Sequence, residues 1–425
     1  MSATPPPAAV TAKDWFRSGV AGMASYLDAA AIVSTGIALV LYQEPLGLSA
    51  GQIGALSSML TFAIAVGALV GGRLGDRYGR RRVFTVTMVL LVTGSALLAA
   101  APNATFLYAG ILLVGFASGA DLPVSIALIS EEAPEGAKGK LVGLSQVLWY
   151  GGILGSQLIG VLIGGMGELG ARIIYGHLAV VALVVLVLRL RVPESRQWIA
   201  ERSAAEEVPS AAGNASAVRR LLGDRRYLLP FLALAGFYCL SNVAANTKGQ
   251  FGTYMYVNAA GSTVQIASAL GLAAQIVSVG LAIVFMRVVD GPRRMRWYTI
   301  GAIGFVGEFA LPAVFGVSIW SLALGNLVGT LGLAFAFEAI YKVWTQEKFP
   351  TLLRSTAQGT TIALARVLAA VVALWTPLLV EIGPEFLFAS LAVLVAISMG
   401  FGYAIDRMRG RRAEGTPSAG AVETR

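Results

Sequence analysis

Twelve apolar stretches, each about as long as a bilayer is thick, occupy most of the chain. A helix that crosses the hydrocarbon core needs about 20 mostly apolar residues, and each stretch reaches that length. We therefore predict an all-α membrane protein with twelve transmembrane helices in two pseudo-symmetric six-helix bundles. The predicted spans cover residues 18–43, 51–72, 82–101, 105–131, 139–165, 169–190, 226–256, 261–288, 296–317, 318–347, 355–382 and 384–405.

The composition supports a membrane protein and argues against an enzyme. Charged residues make up 13% of the 425 residues, whereas soluble domains carry about 25%. With one cysteine, Cys239, and one histidine, His177, the chain cannot form an internal disulfide or a histidine-based metal site. The sequence shows no nucleophile–base pair and no nucleotide-binding loop. We expect no cofactor, no metal and no catalytic residues.

The positions of basic residues predict the orientation. When both termini are placed in the cytoplasm, all but four of the 32 lysines and arginines fall in cytoplasmic tails, loops, the central linker or adjacent span ends. The exceptions are Arg172, Lys248, Lys342 and Arg366. This bias follows the positive-inside rule and explains the net charge of +9 without nucleic acid. We expect a multi-pass cell-membrane protein that contacts lipid and functions as a monomer.

Two sequence patterns occur twice with nearly the same separation. "LGDRYGRRR" after span 2 is matched by "VVDGPRRMR" after span 8, and "SEEAPEGAKGK" after span 4 by "TQEKFPTLLRS" after span 10. The offsets are 290 − 76 = 214 and 347 − 131 = 216 residues. A duplicated six-helix unit is typical of transporters that rock around a central site. The predicted parts are a cytoplasmic tail at 1–17, bundles at 18–190 and 226–405, a cytoplasmic linker at 191–225 and a second tail at 406–425.

These patterns resemble a known family. "GGRLGDRYGRRRVF" (71–84) is similar to the loop motif of the major facilitator superfamily, and "VPESRQWI" (192–199) resembles its sugar-porter branch. "YLDAAAIVSTG" (26–36) and "YKVWTQEKFPTLLRSTAQG" (341–359) look most like bacterial inositol-type proton symporters. "DLPVSIALISEEAP" (121–134) also resembles organic-acid and niacin-type relatives. The resemblance implies alternating access and proton-coupled uptake of a small polyhydroxyl solute.

The chain also departs from the sugar-porter pattern. The span-4 arginine that partners the span-1 aspartate in that branch is absent, since this region reads "YAGILLVG". The position of the sugar-stacking tryptophan of span 10 aligns with Lys342, and the span-5 glutamine aligns with Ile153. Glu338 and Lys342 stand one helical turn apart and can pair. This pair indicates an atypical solute.

Two acids near the bilayer centre are candidate proton-binding groups. Asp28 lies mid-way along span 1 and Asp121 lies deep in span 4. A carboxylate at this depth is costly unless it is paired, so it is a functional hypothesis by default. The resemblance also assigns the coupling proton to Asp28. A structural hydrogen bond to a neighbouring helix remains the alternative for both acids.

The candidate solute-binding residues combine amides, aromatic rings and charges. Amides both donate and accept hydrogen bonds, as a polyhydroxyl solute requires. Helix packing, interfacial anchoring and interhelical hydrogen bonding remain the alternatives. The candidates are Gln146, Trp149, Gln157, Asn242, Asn246, Gln250, Glu338, Lys342, Trp344 and Arg366.

Charged residues at the predicted cytoplasmic ends of the spans are candidates for a gating network. Such a network would hold the two halves together when the cavity faces outward, and domain movement would break it. The alternative is that the basic residues only set topology. The candidates are Asp76, Arg77, Arg80, Arg81, Glu131, Lys138, Glu194, Asp290, Arg293, Glu347 and Arg354.

Other function classes stay open at this point. A symporter of a small organic anion could use Lys342 and Arg366 as anion partners. Export of a drug-like molecule is disfavoured because span 5, "LWYGGILGSQLIGVLIGG", has no proline kink. A non-transporting membrane receptor is disfavoured by the intact motifs in both halves. Proton-coupled uptake of an inositol-like or sugar-like solute is the principal prediction.

Overall fold

The computed structural model describes residues 10–134, 137–195, 197–199, 221–289 and 291–408. Within these residues there are twelve helical spans that are long and apolar enough to cross a membrane, as predicted. Asp290, the side chain of Lys138, most of the predicted linker and residues 1–9 and 409–425 of the two predicted tails lie outside the described residues.

The spans are close to their predicted bounds. Span 1 starts six residues earlier than predicted, because Thr11 forms a capping box with Asp14. Span 7 ends in a π-helical turn, Met255–Ala259, and span 10 consists of two helices. In order, the helices are Ala12–Gln43, Ala50–Tyr78, Arg80–Ala99, Ala104–Glu132, Lys138–Ile163, Glu168–Arg189, Arg225–Tyr254, Val264–Val288, Arg294–Phe315, Ile319–Phe335 with Glu338–Lys348, Thr351–Ile382 and Pro384–Arg407.

Spans 1–6 form the first bundle and spans 7–12 form the second. In the first, span 1 packs against spans 5 and 6, and span 4 packs against spans 2 and 3. In the second, span 7 packs against spans 11 and 12, and span 10 packs against spans 8 and 9. Small residues allow this: a Cβ at Gly71 of span 2 or Gly119 of span 4 would collide with the backbone of the other helix.

The bundles meet near one end of the molecule. The largest contacts between them join span 1 with span 7, span 2 with span 11 and span 5 with span 8. The end that carries the loops after spans 2, 4, 8 and 10 is predicted to be cytoplasmic, and it is called the inner end below. Gly36, Gly54 and Gly160 bring the bundles together in the outer halves of spans 1, 2 and 5. These contacts form the outer seam and close the outer side.

Candidate functional site

Asp28 lies in the interior of the first bundle, near the middle of span 1. It stands 16 residues after Ala12 and 15 before Gln43, which is about 22–24 Å from either helix end at 1.5 Å per residue. The residue is 1% exposed. Ser118 Oγ of span 4 donates to Asp28 Oδ1 at 3.2 Å. Asp28 Oδ2 has no hydrogen-bond partner among the described residues.

The burial of Asp28 makes its ionised form much more costly than its protonated form. An ionised carboxylate buried with one hydroxyl partner carries a desolvation cost of several kcal/mol, whereas the protonated acid carries no charge. Within the described residues, Asp28 makes no ion pair that would fix its charge. The site can therefore gain or lose a proton without breaking a salt bridge.

Asp121 is held differently, and the structure argues against its prediction as a proton carrier. Its Oδ1 accepts from Arg189 Nη1 of span 6 at 2.5 Å and from Thr87 Oγ1 of span 3 at 3.0 Å. Ser125 Oγ donates to Oδ2 at 3.5 Å. Both members of the pair are almost fully buried. Protonating Asp121 would leave the buried guanidinium of Arg189 without its counter-charge, so this geometry favours a structural role for the pair.

Arg189 joins four spans of the first bundle. In addition to its pair with Asp121, it donates to the backbone carbonyls of Val20 and Ala21 in span 1 at 3.5 and 3.2 Å. Its guanidinium also lies 4.5 Å from the ring centroid of Phe84 in span 3. Arg189 of span 6 is therefore the cation beside Asp121. Asp28, the expected partner of the missing span-4 arginine, has a hydroxyl partner instead.

Span 10 is broken where its charged pair begins. The outer helix ends at Phe335, and Ala336 and Phe337 leave helical geometry, with ψ angles of 24° and −124°. Glu338 then opens the inner helix, where a negative charge is favourable because of the helix dipole. Lys342 Nζ lies 2.7 Å from Glu338 Oε1, confirming the predicted pairing geometry. Broken helices at membrane depth mark binding sites in transporters.

The pair faces the space between the bundles. Its side chains are 44% and 37% exposed, although span 10 lies inside the membrane. Tyr150 of span 5, in the opposite bundle, lies within electrostatic range of both charges. Since the close contacts between the bundles lie in the outer seam, we infer that this space opens towards the inner end.

Other predicted solute-binding residues lie on the spans around this space. Gln146 is one turn from Tyr150, and Trp149 packs edge-on against Tyr150 with ring centroids 5.7 Å apart. Asn242 and Asn246 are half-buried and lie one turn apart on span 7. Arg366 of span 11 is half-buried and within electrostatic range of Glu338.

Three predicted solute-binding residues lie elsewhere in this structure. Trp344 is fully buried and packs against Phe237 and Tyr298, with ring centroids 5.3 Å away in each case. The ring of Trp344 is packed in the core of the second bundle, so it cannot stack on a solute in this structure. Gln250 is 3% exposed and hydrogen-bonds Thr61 across the outer seam. The amide of Gln157 packs against Gly271 of span 8 in the same seam.

In the first bundle, the predicted gating residues of the inner end interact with one another. Arg80 bonds Asp76 at 2.6 Å and Glu131 at 2.7 Å. Glu194 accepts from the backbone N–H groups of Arg80 and Arg81 at 2.8 and 3.1 Å. The guanidinium of Arg77 lies over the ring of its neighbour Tyr78.

At the inner end of the second bundle, an arginine again binds two acids. Arg294, rather than the predicted Arg293, pairs with Glu347 at 2.5 Å and with Asp406 at 3.5 Å. Arg354 donates to the carbonyl of Phe349 at 2.8 Å. Span 9 begins at Arg294, and Arg293 lies at the residue just before the helix. The ion pairs described here lie within one bundle or the other.

A further buried pair was missed by the sequence analysis. Lys248 of span 7 pairs with Glu308 of span 9, and Glu308 is 5% exposed. The carboxylate passes span 10 at Gly329, where an added Cβ would collide with it. Lys248 therefore has an internal partner and does not need to extend to the membrane surface. The sequence analysis also missed Ser118 and Ser125 as partners of Asp28 and Asp121. The available signal was the 3.6-residue helical period, which places both serines on the same face of span 4 as Asp121.

Comparison with known proteins places the chain in a family. A family model described as the Major Facilitator Superfamily matches residues 19–377. The chain belongs to the major facilitator superfamily. This membership confirms the prediction of a multi-pass membrane transporter rather than an enzyme.

Curated relatives of this superfamily member include transporters of polyols and sugars. It is 34% identical over 372 residues to the minor myo-inositol transporter IolF of Bacillus subtilis (strain 168), covering 86% of this chain and 84% of that protein. It is 26% identical over 400 residues to the glucose transporter GlcP of Staphylococcus epidermidis, covering 86% and 87% of the two chains. The niacin transporter NiaP of Acinetobacter baylyi is 31% identical over 160 residues, or 38% of this chain and 36% of that protein.

Solved structures confirm the fold. A crystal structure of a D-xylose–proton symporter matches with a TM-score of 0.75 and 20% identity, covering 92% of this chain and 97% of the other. The inward-open conformation of the xylose transporter XylE from E. coli matches with a TM-score of 0.73 and 17% identity, covering 94% and 97%. At these identities the similarity concerns the fold.

Proposed function

We propose that this superfamily member takes up a small polyhydroxyl solute, of the inositol or sugar class, together with protons. The observation that carries the proposal is Asp28, a buried mid-membrane carboxyl with one hydroxyl partner. The similarity to an inositol transporter over 86% of the chain supports the solute class. The amides of Gln146, Asn242 and Asn246 can exchange hydrogen bonds with hydroxyl groups.

In this mechanism the solute binds between the bundles and the bundles rock around it. The solute hydroxyls donate to Glu338 and accept from Lys342, and Arg366 completes the polar surface. Asp28 binds a proton when the site faces outward and releases it when the site faces inward. Because the path lies between two bundles of one chain, we propose a monomer as the functional unit.

The charged residues of the inner end would close the inner side of the transporter during the cycle. In the present arrangement Arg80 and Arg294 bind acids of their own bundles. We propose that some of these charges exchange partners across the bundles when the inner side closes. Closure of the inner side would accompany opening of the outer seam at Gly36, Gly54 and Gly160.

The organic-anion alternative has less support from the charges. Lys342 already has a carboxylate partner at 2.7 Å, which neutralises the cation that an anion would need. Arg366 lies near the same carboxylate. The carboxylate of Glu338 therefore competes with an anionic solute for both cations, which favours a neutral solute with many hydroxyl groups.

The test is solute accumulation in proteoliposomes that contain the full chain. Under an inward gradient of one pH unit, labelled myo-inositol or a related polyol should accumulate by up to about tenfold for one proton per solute. Asp28→Asn should abolish accumulation and keep solute counterflow, since an amide cannot exchange a proton in this range. Asp224→Asn is the matched control: Asp224 caps span 7, and asparagine caps equally well.

Two outcomes would contradict the proposal. If no member of a polyol and sugar panel is taken up while an aromatic or organic acid is, the solute class is wrong. If Asp28→Asn accumulates solute as well as the unchanged protein does, Asp28 does not carry the coupling proton.

A further inference from the structure

We propose that Ser118 of span 4 is the residue that positions Asp28 for proton binding. The inference rests on the proposed proton coupling and adds a residue to it. Ser118 Oγ lies 3.2 Å from Asp28 Oδ1 and is the hydrogen-bond donor recorded for this carboxyl in the described residues.

The surroundings make this single hydrogen bond important. Asp28 and Ser118 are 1% and 2% exposed, so water has little access to either. Asp28 Oδ2 is buried without a hydrogen-bond partner among the described residues. A buried carboxyl with one donor depends on that donor far more than an exposed carboxyl does.

The position of the Ser118 hydroxyl is itself fixed by span 4. Asp121, three residues further along the same helix, is bound by Arg189 of span 6 and by Thr87 of span 3. Gly119 packs directly on the backbone of span 2. These contacts prevent span 4 from sliding or rotating, so Ser118 stays in place opposite Asp28 in span 1.

A serine hydroxyl suits both states of a group that gains and loses a proton. It donates its hydrogen to Asp28 when the carboxylate is ionised. When a proton from solution forms the O–H bond of the acid, the hydroxyl can rotate and accept from that group instead. The serine keeps its own hydrogen throughout, and no bond to it is made or broken.

Other titratable groups at membrane depth occupy the spans around span 1. Within the described residues their recorded hydrogen bonds and ion pairs go to partners other than Asp28. They include Tyr26 and Tyr42 on span 1, Asp121 on span 4, Tyr150 on span 5, Tyr175, His177 and Arg189 on span 6, and Tyr238, Cys239 and Lys248 on span 7.

Ser118→Ala is the direct test, and Ser125→Ala is its matched control. Both serines are buried on span 4 and both bond an aspartate, but Ser125 bonds Asp121 at 3.5 Å and not Asp28. Loss of the donor destabilises the ionised carboxylate. In Ser118→Ala the pH of half-maximal gradient-driven uptake should rise by about one unit, the size expected for one lost hydrogen bond to a carboxylate.

Two further variants separate positioning from folding. Ser118→Thr keeps the hydroxyl and should restore the original pH profile. In an Asp28→Asn background, Ser118→Ala should leave the rate of counterflow unchanged within twofold, since the group that it positions is gone. An unchanged pH profile in folded Ser118→Ala, or an equal shift in Ser125→Ala, would overturn the inference.

Infrared difference spectroscopy of the purified protein tests the contact without any solute. A pH step should change a carboxylic-acid C=O band that disappears in Asp28→Asn and moves to higher frequency in Ser118→Ala. A band that is present but identical in Ser118→Ala refutes the role of Ser118 and leaves the proposed function standing. If no such band depends on Asp28, both proposals fail at the proton-binding step.

Discussion

Replacing Arg189 with methionine would leave the carboxylate of Asp121 buried without its cation. The two side chains are 2% and 1% exposed, and their ion pair is 2.5 Å long. Removing one partner of such a pair destabilises a protein by about 3–5 kcal/mol, because the remaining charge stays in a low-dielectric interior. At about 1.4 kcal/mol per factor of ten, the unfolding equilibrium constant should rise by at least about a hundredfold.

The assay is reversible unfolding of the purified protein in mixed bicelles and denaturing detergent. Arg172→Met is the matched control on the same span, because Arg172 pairs with Glu168 at 2.6 Å but both side chains are 40% exposed. Water screens this exposed pair, so its loss should have a much smaller effect. Arg189→Met with Asp121→Asn should recover part of the lost stability, since a neutral amide is cheaper to bury.

Two results would refute this reasoning. Equal destabilisation by Arg189→Met and Arg172→Met would mean that burial does not determine the value of these pairs. A double variant whose destabilisation equals the sum of the two single variants would mean that Arg189 and Asp121 do not interact energetically.

Two further predictions concern the second bundle. Exchanging Glu338 and Lys342 (E338K with K342E) should keep the protein folded but reduce polyol uptake at least tenfold, if the pair binds the solute as proposed. Unchanged uptake would show a self-contained pair. Gly329→Ala should lower the thermal unfolding midpoint, because its Cβ collides with the carboxylate of Glu308. Gly280→Ala, which meets open space in span 8, is the control, and equal midpoints would contradict the glycine requirement.

Hydrophobic length and the positions of charges were sufficient to predict the spans. A segment of about 20 apolar residues has few alternatives to a membrane helix, because the bilayer satisfies none of the backbone polar groups. The twelve predicted spans all correspond to helices, with ends that differ by a few residues. The i, i+4 spacing of Glu338 and Lys342 likewise predicted a pair that the structure contains.

Partners on different spans could not be predicted in the same way. Asp28 and Asp121 look alike in the sequence, since each is one acid in an apolar helix. Their environments differ because Arg189 reaches Asp121 from 68 residues away, whereas Asp28 meets a serine 90 residues away. Such contacts depend on how helices pack and on the register between them, and neither follows from the period of one helix.

Gln250 and Trp344 are two further residues whose environments could not be predicted from the sequence. Gln250 continues the polar face of Asn242 and Asn246 on span 7. The two asparagines are half-buried, whereas Gln250 is buried and bonds Thr61 across the seam. Trp344 is two residues from Lys342, a difference of about 200° around the helix, and this rotation turns its ring into the core.

The sequence by itself determined that this chain spans a membrane twelve times and contains two related halves. It also determined that Asp28, Asp121, Glu338 and Lys342 lie within membrane spans, where a charge is costly. These properties are local, because each depends on the length, period and composition of one segment. The tertiary structure decided which buried acid is paired with a cation, which is left with a hydroxyl, and which polar residues are buried in the outer seam or the core. Those outcomes depend on contacts between spans that are distant in the chain, and a buried charge takes its function from the partner that packing places beside it.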